Sequence, residues 1–351
     1  MSVIDREGLG GDARSTLLVM KLAMLIPGRR YFAFGPAAPH GTYLGSSYKI
    51  GEALRQVCDL DVLTLDRPRL ERELPAYDAV LVKGDSSHSF RIAAGLGLPY
   101  ILICNDVATM RDPAYDSPTA ERGMIEGAAA IIFVTGPLRD YCAARYRLPP
   151  HEVVNLRPLA RDLEFEPLPK LAGRTLVYAG GLVERHLVQT AWGYRCLHEI
   201  FATAIAGGWR VYVYPALPRP RATDELAALG CVIKDSVPEP RLPRELSQYT
   251  AGLQAYNTNG IPAAAAEYVR LAVPNKSWLY LSAGIPTIGT NPGFESARIY
   301  EGKWGSVLDD LDRFAGLTEA DLPRITPALR RSETMEQDVP KLRRLLEGLA
   351  P

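Results

Sequence analysis

The stretch VPNKSWLYLSAGIPTIGTNPG, residues 273–293, decides how the chain is read. Asn275 is a good N-cap, SWLYLSA is a short helical run, and Gly284 followed by Pro286 stops it. PTIGT then reads as a short buried strand, turned at its end by Asn291, Pro292 and Gly293. A helix that opens beside the Lys276 cation and a strand that ends in a loop are both places where α/β proteins hold anions. The same punctuation also serves an ordinary α/β unit.

On both sides of this unit, apolar strand-like runs alternate with helical patterns. KLAMLIP precedes a Gly-rich loop and the helix SSYKIGEALRQVC. DVLTL, DAVLVKG, PYILICND and AAIIFVTG follow, the last leading into the helix PLRDYCAARY. Such alternation makes βαβ units, hence a parallel sheet with helices on both faces. The pattern lapses over residues 157–174, rich in Pro and charge, and restarts with TLVYAGG, a long helix over 187–206, RVYVYPA, CVIKDSV and AGLQAYN. The expected organisation is a poorly ordered extension at 1–19 and a Rossmann-like domain at 20–165. A second Rossmann-like domain occupies 170–325, and amphipathic helices at 326–351, interrupted at Pro340, pack back on the domains. Two such α/β domains facing each other enclose a cleft lined by the loops that follow the strands.

The bulk numbers agree with this. At 351 residues the chain exceeds what one hydrophobic core usually serves. Forty basic and forty acidic residues cancel without a long run of either sign, which argues against broad attraction to nucleic acid or anionic membranes. The five cysteines, at 58, 104, 142, 196 and 231, are widely spaced in apolar surroundings. They read as reduced core thiols of a cytoplasmic protein, neither a disulfide framework nor a zinc site. STLLVMKLAMLIPG, 15–28, is broken by Lys21 and lacks a cleavage site, so a buried first strand is expected there and no signal peptide. No uninterrupted apolar run reaches the length of a membrane-spanning helix.

The loops after the strands supply the candidate site residues. In LVYAGGLVERH, 176–186, Gly180 and Gly181 let a ligand approach the backbone, while a helix N-terminus with Arg185 or His186 adds positive potential. A diphosphate suits such a site, although the spacing matches neither G-x-G-x-x-G nor the P-loop. A glycine pair after a strand is also a common tight turn. In QAYNTNGIPAAAAEYVR, 254–270, Tyr256 is placed to stack on a base or to fill the core. In the first domain, the loop at 27–49 offers Arg30, His40 and Tyr43 as acceptor contacts, or is a plain surface loop. Asp106 ends YILICND, and Asp85 ends AVLVKGD with His88 three residues on. Either carboxylate, or the imidazole, can serve as a general base, and either aspartate can equally cap a helix.

Taken together, YAGGLVERH and PNKSWLYLSAGIPTIGT, about ninety residues apart, resemble the paired C-terminal motifs of two-domain GT-B glycosyltransferases. VTGPLRDYCAARYRLPPHEVVNL similarly resembles the last unit of their N-terminal domain. The resemblance implies a nucleotide-sugar donor, a UDP-sugar foremost, held by the second domain at Gly180, Gly181, Arg185, His186, Tyr256, Asn275, Lys276 and Ser277. It places the acceptor against the first domain, with Asp106 as the first choice of base because some phage DNA glucosyltransferases place an Asp after this kind of strand. No Asp-x-Asp follows a strand, so no metal and no cofactor beyond the donor is expected. The sequence departs from the family at Leu279, where a ribose-gripping glutamate is usual, and at Leu271, its acidic partner position. Glu267 or Glu295 is near enough in sequence to substitute. The acceptor is left open between a glycan or small molecule and a hydroxymethylated base in phage DNA, which the neutral charge disfavours. A nucleotide-sugar-binding protein without catalysis and a two-domain sugar-nucleotide epimerase are the alternatives.

Overall fold

The computed structural model describes residues 20–26, 45–64, 72–83, 94–95, 97–111, 117–216, 220–272 and 275–349. In the first half, β1 (Lys21–Ile26), β2 (Asp59–Thr64), β3 (Ala79–Lys83), β4 (Tyr100–Cys104), β5 (Ala130–Phe133) and β6 (His151–Val153) form one parallel sheet. Its order is β2-β1-β3-β4-β5-β6. Between the strands run α1 (Gly45–Leu54), α2 (Ala108–Arg111), α3 (Pro118–Glu126) and α4 (Gly136–Ala143). The central strands are continuous apolar runs because both their faces are covered: Val80, Leu81, Ile101, Leu102, Ile131 and Ile132 are all fully buried. Ser117 and Thr135 start α3 and α4 by accepting backbone N–H bonds, each with a proline in the first turn.

The second half repeats the plan. β7 (Thr175–Gly180), β8 (Arg210–Pro215), β9 (Val232–Ile233), β10 (Ala251–Gln254), β11 (Thr287–Gly289) and β12 (Gly305–Val307) form a parallel sheet of order β12-β11-β10-β7-β8-β9. Its helices are α5 (His198–Ala206), α6 (Ala222–Ala228), α7 (Leu242–Leu246), α8 (Ala263–Leu271), α9 (Asn275–Ala283) and α10 (Glu295–Tyr300). Two further helices, α11 (Pro327–Ser332) and α12 (Val339–Glu347), close the described chain. The α/β architecture with two Rossmann-like parallel sheets matches the sequence reading.

Two local expectations fail. Instead of one helix over 187–206 there are 3-10 turns at Arg185–Leu187 and Gly193–Arg195, and α5 begins only at His198. At Gly193 a side chain would lie 1.7 Å from the Val188 carbonyl oxygen, so the chain doubles back tightly where a helix would run straight. The turn delivers Tyr194 into the core that the two halves share. Pro340 likewise does not interrupt a helix; it sits in the first turn of α12, where a missing N–H costs nothing.

That shared core joins the halves. Tyr194, Tyr256, Tyr268 and Val269 of the second half, with Leu342, Leu345 and Leu346 of α12, pack in one cluster with the apolar residues of the first sheet. The approach to α12 is fixed by Asp338, 1% exposed. Its carboxylate accepts the Asn155 backbone N–H (3.2 Å) and an Arg157 N–H (3.3 Å) and pairs with the Lys341 ammonium (2.6 Å). Removing one member of such a buried network strands the others. Asp338→Ala is expected to cost about 3 kcal/mol in equilibrium denaturant unfolding. Asp309→Ala, which breaks the exposed Arg313 pair, is expected to leave the midpoint unmoved.

Candidate functional site

The strand order of the second sheet reverses between β7 and β10. After β7 the chain builds outward through β8 and β9, then returns to lay β10 on the other side of β7. Connections on either side of such a reversal leave by opposite faces, so the carboxyl ends of the two strands part around a crevice. β7 ends there at Gly180 and β10 at Gln254. Because α9 runs back from the carboxyl ends toward β11, its first turn, with Asn275, Lys276 and Ser277, stands over the same crevice.

Two cations are laid against the bare glycine backbone. Gly180 has φ +151°, and a Cβ there would lie 2.6 Å from Lys276 Cε and 3.2 Å from its Nζ. A Cβ at Gly181 would lie 2.8 Å from Arg195 Nη1. The Tyr178 hydroxyl donates to the Gly181 carbonyl oxygen (2.9 Å), fixing the loop, while the Lys276 ammonium lies 5.1 Å from the Tyr178 ring centroid. Arg195 is carried by the 3-10 turn and stacks near Trp192 (4.7 Å) and Tyr194 (5.3 Å). Lys276 makes no ion pair or hydrogen bond among the described residues. Part of the residue meets solvent, yet burial of its charged end, and then the Arg195 charge, lower its pKa to about 7. An ammonium held this way lacks a counter-charge, and an anion against the Gly180-Gly181 backbone would supply it.

The remaining sequence candidates fall in three places. Ser277, fully buried, follows Lys276 in α9, and its hydroxyl has no hydrogen-bond partner among the described residues. Tyr256 is buried, with its ring 5.8 Å from Tyr194 and stacked at 6.4 Å on Phe294, and its backbone is clamped by the Asn291 side chain (2.8 and 3.0 Å). Glu295 opens α10 next to Phe294 and pairs with Arg298 (2.8 Å). Asp106 follows β4 of the first domain and accepts a 2.5 Å hydrogen bond from Tyr268 of α8, across the domain boundary. Burial and that carboxylate push the Tyr268 hydroxyl well above its usual pKa.

Arg185 and His186 are exposed and stand apart from Lys276. The Arg185 backbone N–H donates to Glu225 (3.2 Å), which also pairs with His198 (2.7 Å). The cation that does cover Gly181, Arg195, is one the sequence reading did not single out. Its signal was the aromatic-glycine-aromatic run WGYR, an unlikely helix interior. Leu279 is half-buried on α9, in a crevice with Lys49 of α1, Pro158, Asp162 and Pro243. Arg30, His40 and Tyr43, together with Asp85 and His88, lie outside the described residues. Among the described residues no group of three His, Cys, Asp or Glu side chains is placed to hold a metal ion, and no helix is long and apolar enough to cross a membrane.

No protein-family model matches the sequence, and no curated protein matches it. Solved structures do. The fold is similar to that of AviGT4, a glycosyltransferase involved in avilamycin A biosynthesis, at 17% identity and TM-score 0.54 over 94% of this chain and 98% of that one. It is similar to a sucrose-phosphate synthase from Thermosynechococcus elongatus at 12% identity and TM-score 0.61, covering 94% and 99%. Anabaena Alr3699/HepE, solved in complex with UDP and glucose, aligns at 10% identity and TM-score 0.58, covering 94% and 98%. A putative UDP-N-acetylglucosamine 2-epimerase from Listeria monocytogenes shares the fold as well, at 11% identity and TM-score 0.54 over 94% and 96%. Identities this low carry architecture and not chemistry, and at that level the chain is a GT-B-fold protein, built like the two-domain glycosyltransferases.

Proposed function

We propose that this protein is a glycosyltransferase that moves a sugar from a nucleotide-sugar donor, a UDP-sugar foremost, to a hydroxyl acceptor without a metal ion. The observation that carries the reading is Lys276, an ammonium over a glycine backbone at the strand-order reversal with no anionic partner among the described residues. In transfer, the acceptor oxygen bonds to the anomeric carbon as the bond to the diphosphate oxygen breaks, and the acceptor proton passes to a base. Charge gathers on the leaving diphosphate. Lys276 and Arg195, both carried at the glycine loop, would stabilise it. Asp106 is the first candidate base, held toward the second domain by Tyr268, with Asp85 and His88 next. A glycan or small-molecule acceptor is preferred to DNA because the net charge is +0. The epimerase alternative shares the fold and would convert a donor without any acceptor.

A thermal-shift screen with UDP, GDP, ADP, CDP and dTDP tests the donor site. A nucleotide at ~100 times its Kd adds about 2.7 kcal/mol of stability. One or more nucleotides are expected to raise the Tm of the wild type, and Lys276→Ala is expected to abolish the shift and the turnover. A Lys276→Ala protein that binds and turns over donor normally would refute this role for the cradle.

The pH dependence follows from the same ammonium. Its free-state pKa of about 7 must rise when a phosphate pairs with it, so binding above pH 7 takes up a proton. Affinity for UDP-glucose, whose diphosphate does not titrate in this range, is expected to be flat below pH 7. Above it, affinity should fall by up to about tenfold per pH unit, read by calorimetry from pH 6 to 9. Lys276→Met should bind weakly with a flat profile.

A further inference from the structure

Gln254, the last residue of β10, is 2% exposed, yet neither its amide nitrogen nor its amide oxygen has a hydrogen-bond partner among the described residues. A buried primary amide in this condition is costly unless something completes it. Strand alternation fixes the side to which it points. Ala251, Leu253 and Ala255 belong to the core on the α5 face. On the opposite face a Cβ at Gly252 would fall 2.2 Å from the Tyr280 ring of α9. Gln254, two residues on, shares the α9 face. Gly252 is in register with Val177 of β7, which sets Gln254 level with Ala179, one residue before Gly180. The Gln254 amide therefore lies at the crevice, on the side roofed by the first turn of α9, where Lys276 covers Gly180 and the buried Ser277 hydroxyl is likewise unpartnered.

Chemistry narrows what completes it. Phosphate oxygens only accept, so a phosphate would leave the amide oxygen bare; a hydroxyl both donates and accepts and can serve either end. Position narrows it further. β10 leads on to Tyr256, in the core shared with the first domain, and to α8, whose Tyr268 reaches Asp106, so the chain that leaves its end runs against the first domain. We infer that Gln254 reads a hydroxyl of the sugar being transferred, once the Lys276 stem lifts from Gly180 onto a phosphate. This rests on the donor site proposed above and names the residue that tells one donor sugar from another.

The test compares binding of UDP and UDP-glucose by calorimetry, or of GDP and GDP-mannose if the nucleotide screen selects GDP, in wild type, Gln254→Leu and Gln254→Met. The expected result is a loss of about tenfold or more in affinity for the nucleotide-sugar. The bare nucleotide should change less than about twofold, and both ligand-free variants should melt no lower than the wild type because two unpartnered polar atoms are gone. Equal losses on nucleotide and nucleotide-sugar would overturn the assignment in favour of a contact to the nucleotide. Unchanged affinities with a lowered Tm would overturn it in favour of a structural amide bridged by water. A wild type that binds neither ligand removes the donor site itself, which separates that failure from the failure of Gln254.

Discussion

A parallel sheet whose strand order reverses must leave a gap at the carboxyl ends of the two strands where it reverses, and in this protein that gap lies between β7 and β10. Much of the second domain is arranged around it. The strand side is stripped of bulk: Gly180 and Gly181 carry no side chain where Lys276 and Arg195 lie, and Gly252 gives up its side-chain space to the Tyr280 ring. Tyr280 then stitches the gap from below, accepting the Ala179 N–H (3.3 Å) and donating to the Leu253 carbonyl oxygen (3.0 Å). Close packing of α9 is thereby what holds an ammonium over β7.

The first domain enters through aromatic contacts. Trp192, Tyr194, Tyr256, Tyr268 and Phe294 form a cluster branched at Tyr194, in which neighbouring ring centroids lie 5.6–6.4 Å apart. Tyr194, at the branch, carries Arg195 near its ring, and Tyr268 reaches Asp106. The Arg195 charge at the glycine loop and the carboxylate at the end of β4 are therefore tied to one aromatic cluster. That arrangement suits a reaction in which a leaving group and an attacking group must be aligned from opposite domains.

How much of this was legible depended on where the deciding contacts lie. β3, β4, β5, β7 and β8 announce themselves, because strands covered on both faces must be apolar throughout. α9 and β11 were legible from the apolar run, its stop at Gly284 and the turn residues, which are local devices, although Asn275, expected as the cap, is the first residue of α9 itself. The turns between residues 185 and 197 were not, since their course is set by Tyr194 seeking a core in the other half and by the close approach at Gly193. β12 has only three residues, Gly-Ser-Val, and owes its existence to pairing with β11. Of the residues at the crevice, the sequence pointed to the glycine pair and Lys276, whereas Arg195 is carried to Gly181 by a 3-10 turn where a helix was expected. Leu279 stood out as a departure from the resembling family; in the fold it packs toward α1 and the linker.

The return of α12 to the first sheet has a meaning for how the protein is made. Leu342, Leu345 and Leu346 complete a core begun by Leu22, and Asp338 receives the backbone of Asn155, 183 residues earlier. A nascent chain that has released only its first sheet from the ribosome still lacks one wall of that core and the carboxylate for Arg157. The amino-terminal half, synthesised first, lacks these contacts until α12 has emerged, so its core is closed only late in synthesis.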